Sequence, residues 1–211
     1  MTRRIPWPKM KRDLVAILRG LSPADCDAVV SGLIEAGFEA IEIPLNSPDP
    51  FRSIEMAAKR APQTVLIGAG TVLDVAAVDR LADCGGRLLV SPNVDGSVLS
   101  RANERGLVTM PGVFTATEAL AAASLGATAL KFFPASVLGP SGIRAIRAVL
   151  PADLPVGAVG GVSETDFEAY AAVGIRHFGL GSSLYKPGDD AAAVRERAEV
   201  AVTAYDAVFG P

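Results

Sequence analysis

Eight times along the chain a short apolar run is followed by a longer segment with helical spacing, and this alternation limits the possible folds more than any other feature. The apolar runs are Leu14–Leu18, Ala40–Leu45, Val65–Ala69, Leu88–Ser91, Leu107–Pro111, Ala127–Phe133, Val156–Gly160 and Ile175–Gly181. Runs so short and so continuously apolar read as parallel strands buried on both faces. The intervening segments read as helices over Pro23–Ala36, Pro50–Arg60, Val75–Cys84, Gly96–Arg105, Ala116–Leu125, Gly142–Leu150, Glu164–Val173 and Asp190–Val208. Several open on cap signals: Ser22 before Pro23, and the capping-box spacings Thr115 to Glu118 and Ser163 to Asp166. Glycine closes others, at Gly37, Gly85, Gly106, Gly126 and Gly174. Eight strand–helix units in 211 residues, with no linker or compositional break, predict a single (β/α)8 barrel domain over residues 1–211. The competing arrangement is an open doubly wound sheet, which gives no reason for functional-looking residues to recur at the C-terminal ends of successive strands. The residues ahead of Leu14 are expected to form a short helix across the barrel floor.

Composition narrows the function. Half of the residues are hydrophobic and a fifth are charged, as in a compact folded chain. A net charge of −3 gives no basis for a nucleic acid or an anionic membrane as partner. No apolar run approaches the roughly 20 residues of a membrane-spanning helix. The basic, proline-broken stretch Met1–Arg12 leads into no apolar signal-peptide core. Cys26 and Cys84 are isolated, without metal or redox spacing, and are expected as small core residues in a reducing compartment, the cytoplasm. His177 is the single histidine, set in Ile175-Arg176-His177-Phe178, and reads as structural. One histidine argues against histidine-type zinc sites and against a serine or cysteine nucleophile with a histidine base, so no metal site is expected.

In a (β/α)8 barrel the C-terminal strand ends converge on one mouth. Here they carry Arg19, Glu42 through Asn46, Thr71, Pro92-Asn93, Pro111-Gly112, Lys131 with Phe133, Gly160-Gly161 and Gly181-Ser182. Lys131 stands out among the five lysines because it lies inside the apolar run Ala129-Leu130-Lys131-Phe132-Phe133-Pro134. Shielded by Leu130 and Phe132, its charged form would be disfavoured, leaving an amine able to attack a ketone and form a Schiff base. Glu42, between Ile41 and Ile43, points to the face opposite theirs, which is inward, and there it would move protons for such chemistry. The plainer alternative is a structural Glu42–Lys131 ion pair. The glycine turns Val159-Gly160-Gly161-Val162-Ser163 and Gly179-Leu180-Gly181-Ser182-Ser183 end the seventh and eighth strands, where such barrels recurrently bind phosphate on backbone amides. Ile67-Gly68-Ala69-Gly70-Thr71 lacks the third glycine of a dinucleotide fingerprint and fits better as a close turn presenting the Thr71 hydroxyl. Arg19 offers a cation to a carboxylate or other anion.

With these residues assembled, the sequence resembles the family of 2-keto-3-deoxy-6-phosphogluconate and 2-keto-3-deoxy-6-phosphogalactonate aldolases. The resemblance runs through Val15–Gly20, Glu42–Pro48, Ile67–Leu73, Ser91–Asn93, Met110–Gly112, Leu130–Ala135 and Ala158–Val162. It implies a class I aldolase on a (β/α)8 barrel that needs no metal or organic cofactor. Lys131 then corresponds to the Schiff-base lysine and Glu42 to the proton-transferring residue. Arg19, Thr71, Gly161 and Ser182 correspond to substrate contacts, Gly160 and Gly181 shape the phosphate loops, and Pro92 and Phe133 line the pocket. Asn46 stands where the phosphogluconate branch carries a carboxylate-binding arginine, and Val159 where that branch often has threonine. Both positions look like the phosphogalactonate branch. The expected substrate is therefore 2-dehydro-3-deoxy-6-phospho-D-galactonate, cleaved to pyruvate and D-glyceraldehyde 3-phosphate, with the gluconate epimer, or both epimers, as the first alternative. A phosphosugar isomerase or binding barrel is the alternative of another class. The resemblance also implies a homotrimer.

Overall fold

The computed structural model describes residues 4–210. Strands β1 (Leu14–Ile17), β2 (Ala40–Pro44), β3 (Leu66–Gly70), β4 (Leu88–Ser91), β5 (Val108–Val113), β6 (Leu130–Phe132), β7 (Val156–Val159) and β8 (His177–Leu180) pair in chain order and close into a barrel. Every pairing is parallel, and closure is made by β1 against β8, with Leu14 opposite Phe178 and Ala16 opposite Leu180. The crossovers carry α1 (Pro23–Ala36), α2 (Pro50–Arg60), α3 (Val75–Asp83), α4 (Gly96–Glu104), α5 (Ala116–Ser124), α6 (Ala135–Arg147), α7 (Phe167–Ala171) and α8 (Ala191–Phe209). The predicted caps are in place. The Ser22 side chain accepts from the Asp25 amide, and both capping boxes, Thr115 with Glu118 and Ser163 with Asp166, close reciprocally.

Alternation along each strand divides the core in two. Ile41, Ile43, Leu130 and Phe132 point outward and join the layer between strands and helices. Val15, Ala40, Leu66, Leu88, Val90, Val108, Met110 and Ala129 form a separate interior cluster. This two-layer packing carries most of the hydrophobic stabilisation of a barrel and leaves its interior filled rather than open. Ile5, Trp7 and Met10 pack onto the interior cluster and cover the barrel floor. They do so as irregular chain from residue 4 to residue 13, so the expected floor helix is absent there. Prolines at 6 and 8 explain this, since Pro8 has no amide to donate and restricts the residue ahead of it.

Two helices also differ from expectation. α6 begins seven residues earlier than the periodicity indicates, with a first turn at Ala135–Leu138 and a break at Gly139 (φ 68°, ψ 167°) before Pro140. The seventh crossover opens with a 3-10 turn at Glu164–Asp166 and shortens the helix that follows. Cys26 is buried as expected, whereas Cys84 is only half-buried; both are free thiols. His177 starts β8 at the end away from the mouth, edge-on to Trp7, with Nε2 3.4 Å from Asp13 Oδ1.

Candidate active site

The eleven residues read from the sequence as catalytic or substrate-binding line one cavity of about 480 Å³ at the C-terminal mouth: Arg19, Glu42, Asn46, Thr71, Pro92, Lys131, Phe133, Gly160, Gly161, Gly181 and Ser182, whereas the strand-end residues Asn93, Pro111 and Gly112 do not line it. Its chemical centre is set by strand register. Ile17 pairs with Glu42 across β1 and β2, and Lys131 lies between Gly112 of β5 and Gly157 of β7. Both titratable groups therefore occupy the top interior layer, directly above the apolar cluster.

Glu42 is 2% exposed, and its Oε2 has no hydrogen-bond partner. Burial outweighs the attraction of Lys131 and Arg19 and pushes its carboxyl up to about 7. The space it occupies exists because β3 ends in glycine. A Cβ at Gly70 would stand 1.7 Å from Glu42 Oε2, so any other residue would displace the carboxylate. Lys131 is 6% exposed. Burial lowers its pKa from the ordinary lysine value, against the pull of Glu42, and Arg19 lowers it further. The Phe133 ring centroid lies 5.1 Å from Lys131 Nζ, a modest preference for the charged amine that does not reverse the burial effect. The strand neighbours of Lys131 do not play the part expected of them. Leu130 and Phe132 lie on the opposite face of β6 from Lys131, so they do not shield its amine. The shielding comes from the barrel interior.

Around this pair the loops set the remaining contacts. Arg19 Nη1 donates to Asn46 Oδ1 at 2.6 Å, and the Gly20 amide donates to Ser47 Oγ at 2.8 Å, so the loops after β1 and β2 hold each other. Asn46 thus fixes Arg19, the remaining guanidinium candidate for a carboxylate. Thr71 adopts φ 57°, a left-handed conformation that a β-branched residue seldom takes, and strain of this kind gathers at functional sites. At the opposite rim Gly161 has φ 70°, and a Cβ there would meet Ser136 Oγ at 2.4 Å. Ser183 Oγ donates to the Val162 carbonyl at 3.2 Å and ties the two glycine turns together. Ile17, Val159, Gly179, Tyr185, Lys186 and Pro187 also line the cavity. The signal missed for Tyr185 to Pro187 was geometric. The Gly181 carbonyl accepts from both the Leu184 and Tyr185 amides, a helical turn that returns these residues to the mouth.

An amine and a carboxylate buried together at the mouth of a closed (β/α)8 barrel, beside two glycine turns, define a barrel equipped for imine chemistry on an anionic substrate. The family model for KDPG and KHG aldolase matches residues 9–196, and the chain belongs to this family of carbon–carbon lyases. It is 69% identical over 207 residues to the "Probable 2-dehydro-3-deoxy-6-phosphogalactonate aldolase" of Rhizobium meliloti (strain 1021), covering 98% of both chains. It is 45% identical over 195 residues to the "2-dehydro-3-deoxy-6-phosphogalactonate aldolase" of Escherichia coli (strain K12), covering 92% of this chain and 95% of that one. A solved structure described as "Native KDPGal structure" superposes with a TM-score of 0.94 at 43% identity, covering 98% of this chain and 100% of the other.

Proposed function

We propose that the protein cleaves 2-dehydro-3-deoxy-6-phospho-D-galactonate to pyruvate and D-glyceraldehyde 3-phosphate through an imine on Lys131. The observation that carries this is the burial of one amine and one carboxylate in the same cavity, each pushed toward its neutral form. The neutral Lys131 amine attacks the C2 ketone, and the Glu42 carboxyl protonates the carbinolamine hydroxyl, which leaves as water to give a protonated imine and the Glu42 carboxylate. The C3–C4 bond breaks with its electron pair flowing into the imine, leaving the enamine of pyruvate. Glu42, directly or through a water, takes the C4 hydroxyl proton as the aldehyde forms. It then returns a proton to C3, and water hydrolyses the imine to free pyruvate and Lys131. A carboxyl near 7 suits both directions of transfer, because accepting and donating are then nearly balanced at working pH. Arg19, steadied by Asn46, holds the substrate carboxylate, and Thr71, Pro92 and Phe133 shape the pocket around it. The amides of the Gly160–Gly161 and Gly181–Ser182 turns receive the phosphate.

The galactonate epimer is favoured by the names of the two relatives and by Asn46 in place of the arginine of the gluconate branch. Measuring kcat/KM for both C4 epimers decides the matter. A preference for the galactonate epimer is expected, and a clear preference for the gluconate epimer would overturn the assignment. We also propose that residues 1–211 form a single (β/α)8 barrel domain, that the protein works in the cytoplasm, and that it assembles as a homotrimer. Among the described residues no helix is long and apolar enough to cross a membrane.

A further inference from the structure

We propose that Lys186 is the cation that binds the substrate phosphate, an assignment that rests on the aldolase reading and deepens it. Three cationic side chains among the described residues line the cavity: Arg19, Lys131 and Lys186. The first faces the carboxylate end of the substrate, and the second is consumed by the imine. A phosphate monoester carries about −1.5 to −2 at pH 7. Amides of the two glycine turns give it hydrogen bonds but no formal countercharge, and Lys186 is the cation left to supply one.

The loop places it there. The single helical turn from Gly181 to Tyr185 brings the chain back over the mouth immediately after Ser182. The Lys186 amide donates to Asp189 Oδ2 at 2.9 Å, and Asp189 is paired with Arg197, whose Nε donates to the Leu184 carbonyl at 2.8 Å. Pro187 packs against the loop after β1, so close to Gly20 that a Cβ there would stand 2.6 Å from Pro187 Cγ. The backbone at Lys186 is thus pinned from both sides. Its side chain remains exposed, and among the described residues no carboxylate forms an ion pair with its amine. Asp189, the acid nearest along the chain, is held by Arg197 instead. A pinned backbone with an unneutralised ammonium at the rim suits an anion that enters from solvent and is gripped last.

The test compares wild type, Lys186→Ala and Lys186→Arg in the condensation of pyruvate with D-glyceraldehyde 3-phosphate and with unphosphorylated D-glyceraldehyde. Lys186→Ala should lower kcat/KM for the phosphorylated aldehyde about ten-fold, mainly through KM, as expected for a charge-assisted contact. The unphosphorylated aldehyde should react within about two-fold of wild type, and Lys186→Arg should restore most of the loss. A borohydride adduct of pyruvate on Lys131 in the alanine variant verifies that the site is intact. Equal changes for both aldehydes, or no change for either, would overturn the proposal. Failure of the wild type to condense pyruvate with either aldehyde would sink the aldolase reading itself, and this proposal with it.

Discussion

Glu42 is kept buried with one carboxylate oxygen unpaired, and a folded chain tolerates such a group only at a cost in stability. The sign and the pH window follow from its raised pKa. In the unfolded chain a glutamate titrates near 4.3, and in the folded chain Glu42 titrates at about 7, so the folded state holds the proton more tightly. Between these values stability falls as pH rises, and well above pH 7 the full cost, about 4 kcal/mol, is present. Lys131 acts in the opposite sense. Its lowered pKa imposes a cost below the folded value that is relieved as pH climbs toward the ordinary lysine range. Glu42→Gln removes the carboxylate's cost together with its chemistry. Its kcat should fall about 10²- to 10⁴-fold, the usual contribution of a positioned acid–base group. Its melting temperature should exceed that of wild type at pH 8, and the gap should shrink toward pH 5. The acid limb near pH 7 in the wild-type kcat/KM profile should disappear with it. Calorimetry across this range checks the stability claim, and a gap that is the same at pH 5 and pH 8 would contradict it.

At the scale of elements, the sequence was legible wherever a side-chain period settled the question. Ile41 and Ile43 turn Glu42 inward by alternation alone, and the eight apolar runs match the eight strands within a few residues. Caps were equally readable, because Thr115 with Glu118 and Ser163 with Asp166 depend on a fixed spacing. The departures arise where a second local signal competes with the period, or where the chain returns to the site beyond a strand end. Alternation along β6 places Leu130 and Phe132 on the face opposite Lys131, so its shielding comes from the barrel interior rather than from these neighbours. The first turn of α6 was missed because Gly139 and Pro140 break the helical period, and the turn before them is too short to show one. The floor of the barrel was placed correctly, but as a helix. The apolar residues Ile5, Trp7 and Met10 carry the burial while Pro6 and Pro8 rule out the helical backbone. Lys186 escaped because a strand-end rule stops at Gly181-Ser182, and one further helical turn is needed to return the chain to the cavity.

For the whole molecule, eight parallel strands bring their ends to one mouth, and all but that of β5 supply residues that line the cavity. The price is a site that is electrostatically costly on a scaffold stable enough to hold it. Oligomer formation belongs to the same scale. Leu73, Phe114 and Val137 are exposed apolar side chains on the loops and first turns that follow β3, β5 and β6. An interface between copies would cover surface of this kind, and a stable one buries on the order of 1,200–2,000 Å². Light scattering should give a mass three times the 21.7 kDa chain, about 65 kDa. Val137→Asp, with Val137 71% exposed, should shift this toward the monomer without unfolding the barrel. A monomeric wild type would contradict the trimer. The central claim, that a buried neutral amine at the barrel mouth makes the covalent bond to substrate, is tested most directly by reduction with borohydride in the presence of pyruvate, followed by peptide mass mapping. The result expected is an N-carboxyethyl adduct on Lys131 in the wild type, faster to form as pH rises and absent from Lys131→Met. An unmodified Lys131, or an adduct on a different lysine, would contradict it.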